Sequence, residues 1–289
     1  MTIAPGLCSI TFRALSADDV LAVATRAGVD GIEWGADRHA PPGGGPAIAA
    51  LGARCRDAGV EVVSYGSYLG AGPADDGNAV AAVLDSAEAL GAPMIRIWTE
   101  PGVTPASPAG ERDRVVARTA ALADAIGARG LAVALEFHPG TLTHTAAAAN
   151  ALLDALDRPH VRTHWQPDPE LATDVAVAEL RALLGLPARA PAPAAAVGEA
   201  AASAVAGRLA HLHVFAWGPG GIAERYALAA GEAVWRPALA TAAEHGAPLP
   251  GRRFALCEYV RGDDPAQLVV DVATLRDWLA GSPASRDGQ

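Results

Sequence analysis

A helix-forming segment, a glycine, then a short apolar run recurs roughly every 30 to 40 residues. The pattern reads Ala27-Gly28-Val29, Ala58-Gly59-Val60, Leu90-Gly91-Ala92 and Arg129-Gly130-Leu131. A glycine just past a helix takes the left-handed conformation that ends it. An apolar run too short for a helix reads as a buried strand. Helices alternating with such strands build a parallel sheet, because each crossover returns the chain to the same edge.

The strands expected on this reading are Leu7 to Phe12, Val29 to Trp34, Val60 to Tyr65, Met94 to Trp98, Leu131 to His138, Val161 to Trp165, Leu209 to Phe215 and Phe254 to Tyr259. Eight βα units close an α/β barrel of the (β/α)8 TIM type. The 289 residues suit a single domain of that kind, which takes about 250. Ser16 caps the first helix with Asp19 as its capping-box partner, and Val20, Val23, Ala24 and Ala27 form the apolar stripe. Thr143 is placed to cap a helix ending near Leu156, and Leu171 to Leu184 reads as helical. Pro265 opens a last helix with Leu268, Val272, Leu275 and Leu279 inward. The Ala/Pro-rich stretch at about 187–205 reads as a surface insertion, since the βα pattern resumes after it.

Barrel chemistry sits at the C-terminal strand ends. The run Leu131-Ala-Val-Ala-Leu-Glu-Phe-His138 stops hard at Pro139-Gly140 and carries Glu136 and His138 on one face. A carboxylate there is costly unless it meets a metal, a cation or a substrate. Gln166 follows strand six, His213 lies on strand seven and Glu258 ends strand eight. Two glutamates, one imidazole and one amide suit a divalent ion such as Mn²⁺, Mg²⁺, Co²⁺ or Zn²⁺. Glu33 and Arg96 read as an inward ion pair, with Arg96 also a substrate contact. Trp98, Tyr68 and Trp217 are placed to stack on the apolar face of a substrate. His138 and His39 are further substrate contacts, and His164 and His211 read as structural or outer-shell groups.

Composition removes several alternatives. The net charge of −10 and pI near 5.2 argue against a nucleic-acid partner. There is no lysine, which excludes Schiff-base and pyridoxal phosphate chemistry. Cys8, Cys55 and Cys257 are too few and too scattered for a disulfide framework or a metal motif, and read as buried thiols. The first residues show no signal-peptide pattern, and no apolar run reaches the roughly 20 residues of a membrane span. A cytoplasmic protein acting on a small molecule is the expectation.

Gly31-Ile-Glu-Trp-Gly35, Leu135-Glu-Phe-His-Pro-Gly140, Val161-Arg-Thr-His-Trp-Gln-Pro167, Ala210-His-Leu-His-Val214 and Leu256-Cys-Glu-Tyr-Val260 together resemble the xylose isomerase-like barrel superfamily, in particular its sugar phosphate isomerases and epimerases. The resemblance spans the chain apart from the Ala/Pro-rich stretch. It implies one divalent metal, with Glu136, His213 and Glu258 as ligands and the two glutamates as the acid/base pair. Such barrels also associate, so a homo-oligomer is compatible with it.

The chain departs from the pattern where the family carries an aspartate after strand six. Gln166 stands there, followed by Pro167, with Pro169 where a His or Asn is common. Asp168 is the nearest carboxylate. The arginine that some sugar epimerases carry after the strand-seven histidine is replaced by Trp217-Gly-Pro-Gly-Gly221. The implied activity is isomerisation or epimerisation of a small sugar or hydroxy-ketone through an enediolate. The alternatives are an inosose-type dehydratase using the same site and a non-catalytic sugar-binding homologue.

Overall fold

Eight parallel strands bond to one another in chain order, and the last returns to the first, closing the expected (β/α)8 barrel. The computed structural model describes residues 2–72, 76–187, 207–247, 249 and 251–280. The strands are β1 (Ile3–Cys8), β2 (Gly31–Gly35), β3 (Glu61–Gly66), β4 (Met94–Ile97), β5 (Ala132–Glu136), β6 (Val161–Trp165), β7 (Leu209–Val214) and β8 (Arg253–Cys257). One α-helix follows each: α1 (Ala17–Ala27), α2 (Gly45–Asp57), α3 (Gly77–Leu90), α4 (Ala109–Gly127), α5 (Ala146–Leu156), α6 (Thr173–Leu183), α7 (Glu232–His245) and α8 (Pro265–Ala280). All but Pro187 of the Ala/Pro-rich stretch lies outside the described residues.

Local chemistry explains the helix ends. Ser16 accepts from the Asp19 amide at 3.1 Å, and Gly28 closes α1 at φ 75°. The cap of α5 differs from expectation. Thr145 accepts from the Ala148 amide at 3.2 Å, whereas Thr143 donates to the Glu136 carbonyl at 2.6 Å. A hydroxyl expected at a helix end therefore steadies the end of β5. In α8 the buried set is Leu268, Val272, Leu275 and Trp278, with Leu279 only partly covered.

The first strand is displaced from its expected span. It ends at Cys8, and Ser9–Phe12 forms a 3₁₀ turn. Ser9 Oγ accepts from the Gly35 amide at 2.8 Å, which draws the chain off the barrel wall just where the apolar run suggested it would continue. Cys8 thus lies at the C-terminal edge, in register with Glu33. The sheet is irregular between Ile32 and Glu33 and between Thr163 and Trp165. Both breaks fall beside residues that enter the interior cluster, a placement typical of barrel rims.

Two layers of core result. Most apolar side chains fill the space between strands and helices, with Trp34, Trp165 and Trp235 almost wholly buried. Inside the barrel, Ala4, Cys8, Val63, Phe254 and Leu256 pack together, as do Met94, Ala134 and Ala210. These small interior groups leave the top layer to charged residues.

Candidate active site at the barrel mouth

Glu136, the last residue of β5, is buried and meets Arg96 of β4, whose Nη1 lies 3.0 Å from Glu136 Oε2. The same guanidinium reaches Glu33 of β2, Nε to Oε1 at 3.5 Å, and donates to the Ser67 carbonyl at 3.0 Å. Ser64 donates to Glu33 Oε2 at 2.6 Å, and His164 Nδ1 lies 3.3 Å from that oxygen. His213 of β7 stands between two carboxylates, with Nε2 3.7 Å from Glu33 and Nδ1 3.4 Å from Glu258. Gln166 donates its amide to Glu136 Oε1 at 3.4 Å. The expected ion pair of Glu33 and Arg96 is present, and Arg96 extends it to Glu136.

Arg96 pairs with Glu33 and Glu136 but not with Glu258, and Glu33 and Glu258 are shifted in opposite directions. Burial pushes Glu33 up, but Arg96, then His213 and His164, outweigh it and hold it well below the usual carboxylate range. Glu258 has no such clamp: burial drives it up, and Glu136 and Glu33 add to that against His213, leaving it at about 7. Burial lowers His213, but Glu33 and Glu258 more than reverse it, to about 9. Surplus negative charge is the common cause, and it is met by extra protons or by a cation.

A cavity of about 280 Å³ opens above this cluster, lined by Glu136, Glu258, Arg96, His138, Trp98 and Tyr68. Trp98 packs against His138 with ring centres 4.3 Å apart, and Tyr68 stacks on Trp98 at 6.2 Å. Six of the residues expected at the site therefore share one wall. Arg13, Arg225, Tyr259 and Asp263 also line the mouth. Arg13 pairs with Asp37, and Arg225 pairs with Asp263 and covers the Tyr259 ring.

Two expected substrate contacts lie elsewhere. His39 is buried with Nδ1 3.0 Å from Ser9 Oγ and its ring edge-on to Trp34. The loop after β2 folds back, with the His39 and Ala40 amides both on the Gly35 carbonyl, which carries the imidazole under the wall. Trp217 stacks on Phe215 at 4.4 Å and contacts Tyr259 at 5.3 Å; Tyr259 lines the cavity and Trp217 does not. Asp168 is also engaged, by His144 of the loop after β5 at 3.0 Å and by the Glu170 amide of its own loop at 2.9 Å. His211 accepts from the Phe254 amide at 3.1 Å, a structural role one layer down.

A divalent ion fits the donor set. The buried atoms Gln166 Oε1, Glu258 Oε2, and His213 Nδ1 and Nε2 have no hydrogen-bond partner, and Glu136 Oε2 has only its Arg96 ion pair. Buried polar atoms left this way are uncommon unless something else completes them. Cys8 and Glu33 were not expected in the ligand set, yet Cys8, Glu33 and His213 have donor atoms within 4.8 Å of one another. Only the true end of β1 reveals Cys8, because a strand running to Phe12 would bury it mid-wall. A larger cavity of about 580 Å³ at the opposite face is lined mainly by strand starts and loops, including Met94, Leu131 and Phe254, away from this cluster.

The fold and site define an α/β barrel with a buried cluster of carboxylates, imidazoles, an amide and a guanidinium at its C-terminal mouth. The chain belongs to the xylose isomerase-like TIM barrel family, whose model matches residues 21–214. No curated protein matches its sequence. The fold is similar to the probable 3-DHS dehydratase AsbF of Bacillus anthracis, with TM-score 0.67, 17% identity, and coverage of 95% of this chain and 99% of that one. It is also similar to an L-ribulose 3-epimerase (TM-score 0.62, 17% identity, 96% and 94% covered). A magnesium complex of a xylose isomerase-like barrel from Mycobacterium smegmatis gives TM-score 0.61 at 17% identity, with 96% of each chain covered. Among the described residues, no helix is long and apolar enough to cross a membrane.

Proposed function

We propose that this protein is a divalent-metal-dependent isomerase or epimerase of a small sugar or hydroxy-ketone. One observation carries the reading: two buried glutamates face the same cavity with opposite electrostatic surroundings. Glu136 lies against a guanidinium and is suited to act as a carboxylate base. Glu258 lies against an imidazole, is pushed up to about 7, and is suited to hold and deliver a proton near neutrality.

Glu136, Gln166, His213 and Glu258 would hold the ion, which when bound supplies Lewis acidity to adjacent hydroxyl and carbonyl oxygens of the substrate. Glu136 then takes the carbon-bound proton beside the carbonyl, giving an enediolate. Glu258 returns a proton, to the opposite face for epimerisation or to the neighbouring carbon for isomerisation. Trp98, Tyr68 and His138 orient the sugar against their apolar faces. Arg96 keeps Glu136 in place without entering the proton path.

The same groups could expel a β-hydroxyl from the enediolate, and the likeness to a 3-DHS dehydratase fold is what favours this second reading. Solvent-deuterium exchange into a panel of ketoses, inososes and hydroxypyruvate, with product analysis, separates the two: a stereoisomer against loss of water. Absence of exchange in every metal-loaded sample would leave a non-catalytic binding protein.

A further inference from the structure

We propose that Cys8, Glu33 and His213 form a second cation position, distinct from the cavity wall and selective for thiophilic ions such as Zn²⁺ or Co²⁺. It rests on the reading that this interior takes a divalent cation. Among the described residues these three form a group whose donor atoms lie within 4.8 Å of one another. All three are buried, at 1%, 2% and 1% exposure. Tetrahedral zinc with donors at 2.0–2.3 Å holds them about 3.3–3.8 Å apart, so side-chain movements of up to about an ångström close the group.

The imidazole supplies the second, independent observation. Neither His213 nitrogen makes a hydrogen bond, although the ring is enclosed. Its Nε2 looks toward Glu33 at 3.7 Å and its Nδ1 toward Glu258 at 3.4 Å. A neutral imidazole offers one lone pair and one N–H. Ligation through Nε2 leaves the Nδ1 hydrogen for Glu258, the carboxylate–histidine–metal arrangement that orients many ligands. Ligation toward Glu258 instead serves the Glu136–Gln166–Glu258 side. The two positions therefore compete for one side chain.

Metal softness decides between them. A thiolate selects zinc and cobalt, while carboxylate and amide oxygens suit magnesium and manganese. On coordination the Sγ–H bond breaks, the Sγ–metal bond forms and the proton leaves to solvent, with no change of oxidation state. A thiophilic ion in the inner position withdraws His213 from the outer set, so such ions would inhibit the magnesium- or manganese-loaded protein. Arg96 Nε, 3.5 Å from the same Glu33 oxygen, is the cation that an incoming ion must displace.

The test is titration of Co²⁺ into the full-length metal-free protein, followed by its absorption spectrum. The expected result is a thiolate-to-cobalt charge-transfer band in the near ultraviolet, saturating at one equivalent. Cys8→Ser should abolish the band and weaken Co²⁺ binding by roughly tenfold or more, since losing a ligand costs no less than losing an outer-shell partner. Its Mn²⁺ affinity should not change. Cys55→Ser should keep the band. If Cys8→Ser fails to fold, a variant combining Cys55→Ser with Cys257→Ser decides the matter: a band retained there assigns the thiolate to Cys8, and a band lost overturns the assignment. Stoichiometric Co²⁺ binding without a thiolate band overturns the inner position and leaves the outer one standing. No retained Co²⁺ or Mn²⁺ by elemental analysis overturns both.

Discussion

Arg96 Nη1 lies 3.0 Å from Glu136 Oε2, and both side chains are buried. The guanidinium also reaches Glu33, so one cation compensates two carboxylates inside the barrel. Removing one partner of a buried pair strands a charge, which costs about 3–5 kcal/mol. Arg96→Met should therefore lower the unfolding free energy of the metal-free protein by about that much. Adding Glu136→Gln to it should recover part of the loss. Equal urea stability of wild type and Arg96→Met would show that the clamp is energetically idle.

Glu258 is the group assigned to hold the proton. Glu258→Gln keeps its shape but cannot transfer a proton, and general acid–base steps contribute about 10²- to 10⁴-fold. Deuterium exchange into the turned-over ketose should fall by that range at saturating metal. Undiminished exchange would remove Glu258 from the mechanism.

Stability of the metal-free protein should fall as pH rises. The folded-state affinity of Glu258 is raised from 4.5 to about 7. Its contribution is full below pH 4.5 and is lost as pH climbs through about 7. His213, raised from 6.5 to about 9, contributes fully below 6.5 and loses its contribution through about 9. Urea midpoints in chelator should decline between pH 5 and pH 9, and Glu258→Gln should flatten the earlier part. A flat or rising wild-type profile contradicts the surplus-charge account.

Trp98 contacts both His138 and Tyr68. Such aromatic contacts are worth about 0.5–1.5 kcal/mol, so Trp98→Ala should raise KM roughly twofold to tenfold. Steady-state kinetics on the best substrate of the exchange panel checks this. A fall in kcat at constant KM would instead place Trp98 in the chemical step.

Gly52 of α2 packs against the backbone at the end of α3. A Cβ built there would stand 2.2 Å from the Leu90 carbonyl oxygen, and a backbone atom cannot swing aside. Gly52→Ala should cost about 1–3 kcal/mol, read by urea denaturation. A neutral effect would mean that the two helices separate more readily than their packing indicates.

The order of strands and helices was written in the sequence, because apolar period and glycine stops act over a few residues. The same local signals marked Glu136, Gln166, His213 and Glu258 as strand-end donors, and Trp98, Tyr68 and His138 as neighbours of the cavity. They did not locate the end of β1, which depends on Ser9 meeting Gly35 across two strands. For that reason Cys8 went unnoticed as a donor. Nor could they show that Arg96 bridges Glu33 and Glu136, or that His39 and Trp217 do not line the cavity. Those outcomes are set by register and loop packing between segments far apart in the chain, and local propensity carries no information about such distances.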